Sequence, residues 1–418
     1  MSKIWQIDAK LIKNNLINLK QIVFEVTEKC NLNCRYCGLS DLYNKDDLRN
    51  KKDLPFKKAQ LIIDYLLCIW KENHIPDAAF QFVISFYGGE PLINATLIKK
   101  IINYAEKSEI TDRQIRYAMT TNAMLLDKHI DFLAEKKILL LISLDGDEKA
   151  QSYRMDHSGN NSFNQVIRNV KLLQSKYPEY FRESVSFNSV LHNQNDVEPL
   201  LHFFKTHFDK VPKISPLRRS GICDDKKAEF LKMYQNKLQS LIKSPNCEAI
   251  ETDYFLEMPK GYSLSQYLYN SSGNIFYYYN QLLLQKLVNN EIYTGTCTPF
   301  SKKLFVTADG KILPCERIDY NFEVGYIHDD FVELDYKHVA ELHNNYLSKC
   351  ARQCVFCAIN KSCPQCLYHI DDIRNKLSHC PSFCTKEVAD QEKEQMFSYL
   401  RQHPHYYEKV LNEVSFSI

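Results

Sequence analysis

Cys30-Asn31-Leu32-Asn33-Cys34-Arg35-Tyr36-Cys37 follows an apolar run containing Ile22, Val23, Phe24 and Val26. Its three cysteines stand at C-x3-C-x2-C spacing. In a reducing compartment, cysteines clustered this tightly read as metal or redox ligands rather than disulfide partners. Iron–sulfur clusters usually take four protein thiolates, and structural zinc closes with four ligands. A loop offering three leaves one metal position open to a substrate or cofactor. Two plainer readings compete from the spacing alone: a zinc site completed by a distant fourth ligand, and thiols with no metal.

Working outward, the chain of 418 residues is long enough for two or three domains. Its 53 basic and 51 acidic residues leave a formal charge of +2, which implies no polyanionic partner such as nucleic acid. No run of eighteen apolar residues suggests a membrane-spanning helix. Residues 1–20 lack the apolar core of a signal peptide. A cytoplasmic location is therefore expected, with its reducing conditions for fifteen cysteines. Nine of those fifteen lie beyond residue 290.

The first half alternates between two periods. Apolar, β-rich runs lie at Ile22–Val26, Phe80–Phe86, Ile115–Met119, Ile138–Leu144, Val185–Leu191 and Val211–Ile214. Helical patterns separate them at Phe56–Lys71, Leu97–Lys107, Leu126–Lys136, Phe163–Ser175 and Val197–Phe208. This alternation predicts an α/β fold with a parallel sheet whose strands are buried on both faces. Six such units are too few for a closed eightfold barrel, so an open or partial barrel is expected.

In such folds the chemistry gathers at the C-terminal ends of the strands. There lie the cysteine loop, then Tyr87-Gly88-Gly89-Glu90-Pro91, then Thr120-Thr121-Asn122-Ala123, then Ser143-Leu144-Asp145-Gly146 with Arg154 beyond, and finally Asn188 to His192. Singly, Gly-Gly-Glu-Pro could be only a turn and Thr-Thr-Asn-Ala only a helix cap. Their order behind a cysteine triplet points to one shared site.

With these motifs in place, the sequence resembles the radical SAM enzymes over roughly residues 20 to 220. The resemblance rests on Cys30-x3-Cys34-x2-Cys37, Gly88-Gly89-Glu90-Pro91, Thr121-Asn122 and Ser143-Leu144-Asp145-Gly146 followed by Arg154. It implies a [4Fe–4S] cluster on Cys30, Cys34 and Cys37, whose open iron is chelated by the amino and carboxylate groups of S-adenosylmethionine. Gly88, Gly89 and Glu90 would meet the amino group, largely through backbone. Ser143 and Arg154 would bind the carboxylate, with Asp145 beside them. Thr121 and Asn122 would line the ribose, and Leu191 and Tyr36 the adenine. Ala123 stands where glycine is more usual, a swap expected only to forbid positive φ there.

The second cysteine field reads Cys297, Gly310, Cys315, Cys350, Cys354, Cys357, Cys363, Cys366, Cys380 and Cys384. A strand pair, Lys303–Thr307 and Lys311–Leu313, turns at Ala308-Asp309-Gly310. As chemistry alone, nine thiols could make two tetrathiolate sites of zinc or of iron and sulfur. Cys297…Gly310…Cys315 and Cys354-x2-Cys357-x5-Cys363 resemble the SPASM extension, which implies one or two auxiliary [4Fe–4S] clusters. Carried over, Cys354, Cys357, Cys363 and Cys380 would hold the outer cluster, with Cys384 competing for the last place. Cys297, Cys315 and Cys366 would hold the inner one, whose fourth position is open to Cys350, Cys247, a substrate group or nothing. Cys363 and Cys366 are two residues apart where the family usually has three.

The resemblance thus implies a partial (β/α)6 TIM-like barrel with a helical insert and a C-terminal cysteine-rich SPASM domain. The expected divisions are 1–20, an extension; 21–220, the barrel; 221–294, a tyrosine-rich helical bridge; 295–385, the SPASM domain; and 386–418, a helical tail. The bridge tyrosines, Tyr254, Tyr262, Tyr267, Tyr269 and Tyr277–Tyr279, could line a peptide groove or form a half-buried helical face. The implied activity is reductive cleavage of S-adenosylmethionine to a 5′-deoxyadenosyl radical that abstracts hydrogen from a ribosomally made precursor peptide, leaving a cross-link, thioether or similar modification. Gly38–Tyr43 and Asp145–Asn161 are similar to the peptide maturases of this family. The alternative is an anaerobic sulfatase-maturating enzyme, which forms formylglycine. Those place Asp after the second extension cysteine, where this chain has Glu316, a candidate base. A non-catalytic zinc scaffold is the reading from another class. The implied partners are the precursor peptide, an electron donor such as flavodoxin or ferredoxin, and a separate leader-binding protein if this chain does not bind the leader itself.

Overall fold

The apolar run before the cysteine loop becomes strand β1 (Gln21–Thr27), in which every residue after Gln21 is buried. In the computed structural model, which describes residues 6–43, 52–73, 81–108, 113–271, 294–371, 373–374 and 380–413, it lies at the centre of a sheet. Beside it in chain order run β2 (Gln81–Gly88), β3 (Gln114–Thr121), β4 (Leu139–Ser143), β5 (Val185–Leu191) and β6 (Lys213–Pro216), each parallel to the last. The helices between them are α2 (Phe56–Glu72), α3 (Ala95–Lys107), α4 (Ile130–Glu135), α5 (Phe163–Lys176), α6 (Pro178–Ser184) and α7 (Val197–Phe208). This is the α/β partial-barrel arrangement expected. Only the start of the second expected strand, at Phe80, lies outside the described residues.

Two differences have local causes. Helix α1 (Ala9–Ile17) precedes β1, in the stretch expected only as an extension with no element assigned. The Asp8 carboxylate caps it by accepting from the Leu11 N–H at 2.8 Å, and Ile12 and Leu16 are buried. The helix expected at Leu126–Lys136 breaks into a 3-10 turn at Leu126–Lys128 and the short α4, with His129 at φ −131° between them.

The chain folds as two units. Ile7–Asn236 joins Cys297–His343 in one, and Lys237–Thr296 joins Asn344–Ile418 in the other. The expected strand pair belongs to the first unit. β7 (Lys303–Val306) pairs in parallel with β1, and β8 (Lys311–Leu313), β9 (Gly325–Ile327) and β10 (Val332–Glu333) continue the sheet antiparallel. Gly310 turns β7 into β8 at φ +101°, where a Cβ would stand 2.5 Å from the Lys58 ammonium. In the second unit, Phe255, Leu264, Leu268, Tyr406 and Val410 form a core, with Tyr267 packed against it. Phe255 and Tyr406 stack at 3.9 Å. Tyr262 is exposed, and Tyr277, Tyr278 and Tyr279 lie outside the described residues.

Glu25 is the one carboxylate of β1, and it is fully buried. The Tyr320 phenol donates to its Oε1 at 2.5 Å and the Ala308 N–H to its Oε2 at 2.9 Å, so it fastens β1 to the β7–β8 turn. Burial pushes its pKa up to about 7, against those two hydrogen bonds. The folded state therefore favours the neutral acid. That contribution is complete below the ordinary carboxylate range and is lost as pH rises toward 7. Glu25→Gln, which keeps an acceptor but cannot ionise, should flatten the decline of the urea midpoint between about pH 5 and pH 7.5. An unchanged slope would show that Glu25 does not set it.

Candidate functional site

The cysteine loop is docked through its backbone. The Asn33 N–H donates to Met155 O at 2.7 Å and the Arg35 N–H to Tyr153 O at 3.1 Å, tying the loop to the segment after β4. His157 Nε2 meets Cys30 O at 2.8 Å. From the end of β3, Asn122 Nδ2 donates to Asn31 Oδ1 at 2.7 Å and stands 3.7 Å from Cys30 Sγ. The Leu32 N–H points at the same sulfur, at 3.4 Å.

Gly88 and Gly89 are required by this docking. A Cβ on Gly88 would lie 2.1 Å from Thr27 O, and one on Gly89 would lie 2.2 Å from Lys29 O. The Gly89 and Glu90 amides donate to those carbonyls at 2.9 and 2.8 Å. Both amides are thus already engaged within the chain. The Glu90 side chain faces inward, fully buried. It accepts from Thr121 Oγ1 at 2.7 Å, the Asn122 N–H at 2.7 Å and the Leu92 N–H at 3.1 Å. Burial raises its pKa to about 7 despite these donors.

Ala123 corrects an expectation. It adopts φ +62°, the left-handed conformation that alanine was expected to forbid. Three bonds hold it: its N–H donates to Thr121 Oγ1 at 3.0 Å, and its carbonyl accepts from Asn169 Nδ2 at 2.9 Å and the Leu126 N–H at 3.3 Å.

At the ends of β4 and β5, the structure brings Tyr36, Asp145, Arg154 and His192 together. Asp145 is fully buried, and its carboxylate binds Arg154 through Nε at 2.9 Å and Nη2 at 3.1 Å. The Tyr36 phenol donates to it as well. The Val190 N–H donates at 2.9 Å, and His192 Nε2 stands 3.6 Å away. Burial pushes the Asp145 pKa up, but the charge and hydrogen bonds of Arg154, with the His192 ring close by, more than reverse this and hold it well below the usual range. Asp145 therefore grips protein groups rather than facing a cofactor. Leu191 is fully buried, and half-buried Val190 precedes it. Ser143 is half-buried, and its hydroxyl takes no protein partner among the described residues. The sequence reading placed His192 on the rim without a role, and it overlooked Asn31, His157 and Asn195. Polar residues just past apolar strands and within the motif loops were the available signal.

None of the fifteen cysteines is joined in a disulfide. Cys297, Cys315 and Glu316 belong to the first unit. Glu316 is largely buried. Burial raises its pKa, yet the Lys303 ammonium at 2.9 Å leaves it net lowered, so it is an ionised carboxylate 3.5 Å from Cys315 Sγ. In the second unit Cys350 and Cys354 lie one helical turn apart. Cys354 has Cys363, Cys380 and Cys357 as electrostatic neighbours, and Cys350 has Cys354, Cys380 and Cys363. Cys384 reaches this group through Cys357, to whose sulfur its N–H donates at 3.5 Å. Thr296 accepts from the Leu367 N–H at 2.7 Å, just past Cys366.

These donor sets suit clusters. Backbone N–H groups point at Cys30, Cys315, Cys357 and Cys363. Such bonds stabilise a thiolate over a thiol and tune iron–sulfur centres. Without metal, burial pushes Cys315 and Cys350 up to about 12 and Cys354 to about 11, whereas a coordinated thiol is deprotonated outright.

Residues 24–205 match the model of the Radical SAM superfamily. An uncharacterized protein of Methanocaldococcus jannaschii is 35% identical over 158 residues, 38% of this chain and 49% of that one. The chain thus spans about half the length of that relative. The cysteine-type anaerobic sulfatase-maturating enzyme of Clostridium novyi is 23% identical over 346 residues, 79% of this chain and 81% of that one. The solved structure of native anSMEcpe with bound AdoMet and Kp18Cys peptide shares the fold. It has 19% identity and a TM-score of 0.61, over 94% of this chain and 99% of that chain.

Glu90→Ala strands three buried donors at once. It should cost about 3 kcal/mol or more of stability, measured as the loss in denaturant unfolding free energy. A loss under about 1 kcal/mol would show that solvent replaces the carboxylate there.

Proposed function

From the match of residues 24–205 to the Radical SAM superfamily model, we propose that the chain is a radical SAM enzyme of the oxidoreductase type that modifies a ribosomally made precursor peptide. The zinc-scaffold reading falls with that premise. Cys30, Cys34 and Cys37 would hold the [4Fe–4S] cluster, and the strand-end residues would hold S-adenosylmethionine. Bound together, that pair supplies a carbon radical able to take hydrogen from an unactivated C–H bond.

The chain's own residues position and enclose. Arg154 offers a fixed positive charge for a carboxylate. Asn122, hydrogen-bonded to Asn31 and close to Cys30 Sγ, braces the cluster loop. The single observation carrying the precursor-peptide reading is Glu316, an ionised, largely buried carboxylate held by Lys303 directly after Cys315. It can accept a proton released as a substrate is oxidised, and it departs from the aspartate of the sulfatase-maturating layout. The auxiliary clusters on the second cysteine field would take the leftover electron or bind substrate. An electron donor of the flavodoxin or ferredoxin kind is needed, and a separate leader-binding protein is a further proposed partner.

A second reading, formylglycine formation on a sulfatase, is favoured by one observation. The Clostridium novyi enzyme aligns over 79% of this chain, well past the radical SAM stretch. Anaerobic co-expression separates the two. Loss of about two hydrogens per site in a short peptide encoded next to this chain supports the first reading. Conversion of a sulfatase cysteine instead establishes the second. Alanine at Cys30, Cys34 or Cys37 should abolish 5′-deoxyadenosine formation, and about eight to twelve irons per chain are expected in the intact protein. Zinc without iron would overturn both.

A further inference from the structure

The sheet has two faces, and alternation along each strand assigns their residues. Phe82 of β2 meets Trp70 of α2 at 4.9 Å, and Phe187 of β5 meets Phe204 and Phe208 of α7 at 4.9 and 4.8 Å. These rings define the helix-covered face. Tyr87 and Asn188 therefore belong to the opposite face, and both are half-buried. Phe305 of β7 joins them, its ring 6.4 Å from that of Tyr87, and Lys303 two residues earlier shares its face. Ser215 of β6 donates to Asn188 Oδ1 at 2.7 Å, which places Lys213, two residues earlier, on that face too. Between β6 and β7 the sheet runs through five strands. Yet the charged neighbours of Lys213 are Arg317, Lys303 and Glu316, from β7 and the segment after β8. The sheet thus curls until its distant strands face each other across this side. Tyr87 looks onto the same space, with Cys37 of the cluster loop and Glu316 and Arg317 beside Cys315 among its charged neighbours.

Charge in that space does not balance. Glu316 binds Lys303 at 2.9 Å and has Arg317 Nε at 3.7 Å. One ionised carboxylate thus faces three cations, and Lys213 has no hydrogen-bonded or ion-paired acceptor among the described residues. Burial and the like charges of Arg317 and Lys303 lower its pKa, against the pull of Glu316. Lys303 and Arg317 are also charged neighbours of Cys315, so support of that thiolate accounts for them and leaves Lys213 to be explained. Its register partner Asn188 adds a second donor: Nδ2 has no protein acceptor among the described residues and is not sealed from solvent. An ammonium beside an amide N–H, in a space with excess positive charge, suits a carboxylate.

We propose that Lys213 and Asn188 form a specificity site that receives an aspartate or glutamate side chain of the substrate peptide, in the segment presented between the Cys37 loop and Cys315. This rests on the peptide-modifying function proposed above and names the class of peptide it takes.

The test uses the full chain with its clusters and S-adenosylmethionine, and blocked synthetic nonapeptides that differ only in a central aspartate, asparagine or lysine. Binding is measured by anaerobic equilibrium dialysis. The aspartate peptide should bind about tenfold more tightly than the asparagine peptide. Lys213→Met should bring those two within about twofold, Lys213→Arg should keep the aspartate preference, and Lys213→Glu should make the lysine peptide the tightest bound. Equal binding of the three peptides by the wild-type chain, or an aspartate preference that survives Lys213→Met, overturns the proposal. If Lys213→Met does not fold, Lys213→Glu decides, and an unreversed preference overturns it. A shift in auxiliary-cluster potential in Lys213→Met with no change in peptide preference assigns the ammonium to the cluster and overturns it as well. A wild-type chain that binds none of the three refutes instead the peptide reading on which the proposal rests.

Discussion

Close backbone packing between the end of β1 and the end of β2 is the constraint on which the site depends. The carbonyls of Thr27 and Lys29 lie so near Gly88 and Gly89 that no side chain fits between. Two amide-to-carbonyl bonds then hold the first residues of the cysteine segment against the second strand end. Glycine pays for its freedom with conformational entropy, so two in succession at a strand end are worth having only where backbone must approach backbone. From there the restraint passes sideways. Glu90 grips Thr121 and Asn122, and Asn122 returns to Asn31 and Cys30. Three strand ends are linked by hydrogen bonds that mostly lie out of solvent, where each is strengthened and each omission is costly.

Asp145 makes the matching restraint on the other side of the cysteine loop. Among the described residues the Glu90 network contains no cationic partner, and burial raises its carboxyl toward neutrality. Asp145 has Arg154, and its carboxyl stays ionised. The same residue class, equally buried, thus takes opposite protonation tendencies because one has a guanidinium and the other has only dipoles. The loop between them is pinned by a hydrogen-bonded carboxyl on one flank and an ion pair on the other.

Much of the fold was legible because the strands are apolar throughout. Val185–Leu191 and Val197–Phe208 fall as read, and the remaining strand positions differ by a few residues at their ends. Illegible features came from long-range contacts. Nothing in Lys303–Val306 announces that it pairs with β1, and nothing in Glu25 announces a partner at Tyr320. The left-handed Ala123 could not be read because three bonds from distant and neighbouring groups override its intrinsic preference. Of the site, the residue identities were legible but their assignments less so. Asp145 and Glu90 hold other residues of the chain, and the groups they hold are buried with them. A motif lists side chains without saying which of them point inward.

The cysteines show why inward and outward matter chemically. A buried thiol with no metal is driven toward the neutral form, as at Cys315, Cys350 and Cys354. N–H groups aimed at sulfur favour the opposite, anionic form. Burial and hydrogen bonding therefore pull against each other at these sites, a conflict that a neutral core thiol would have no reason to carry. A positive iron–sulfur core resolves it by supplying the charge that makes the thiolate affordable in a dry setting. The conflict appears both in the loop at Cys30 and in the second cysteine field. The two fields thus share one electrostatic logic although their spacings differ.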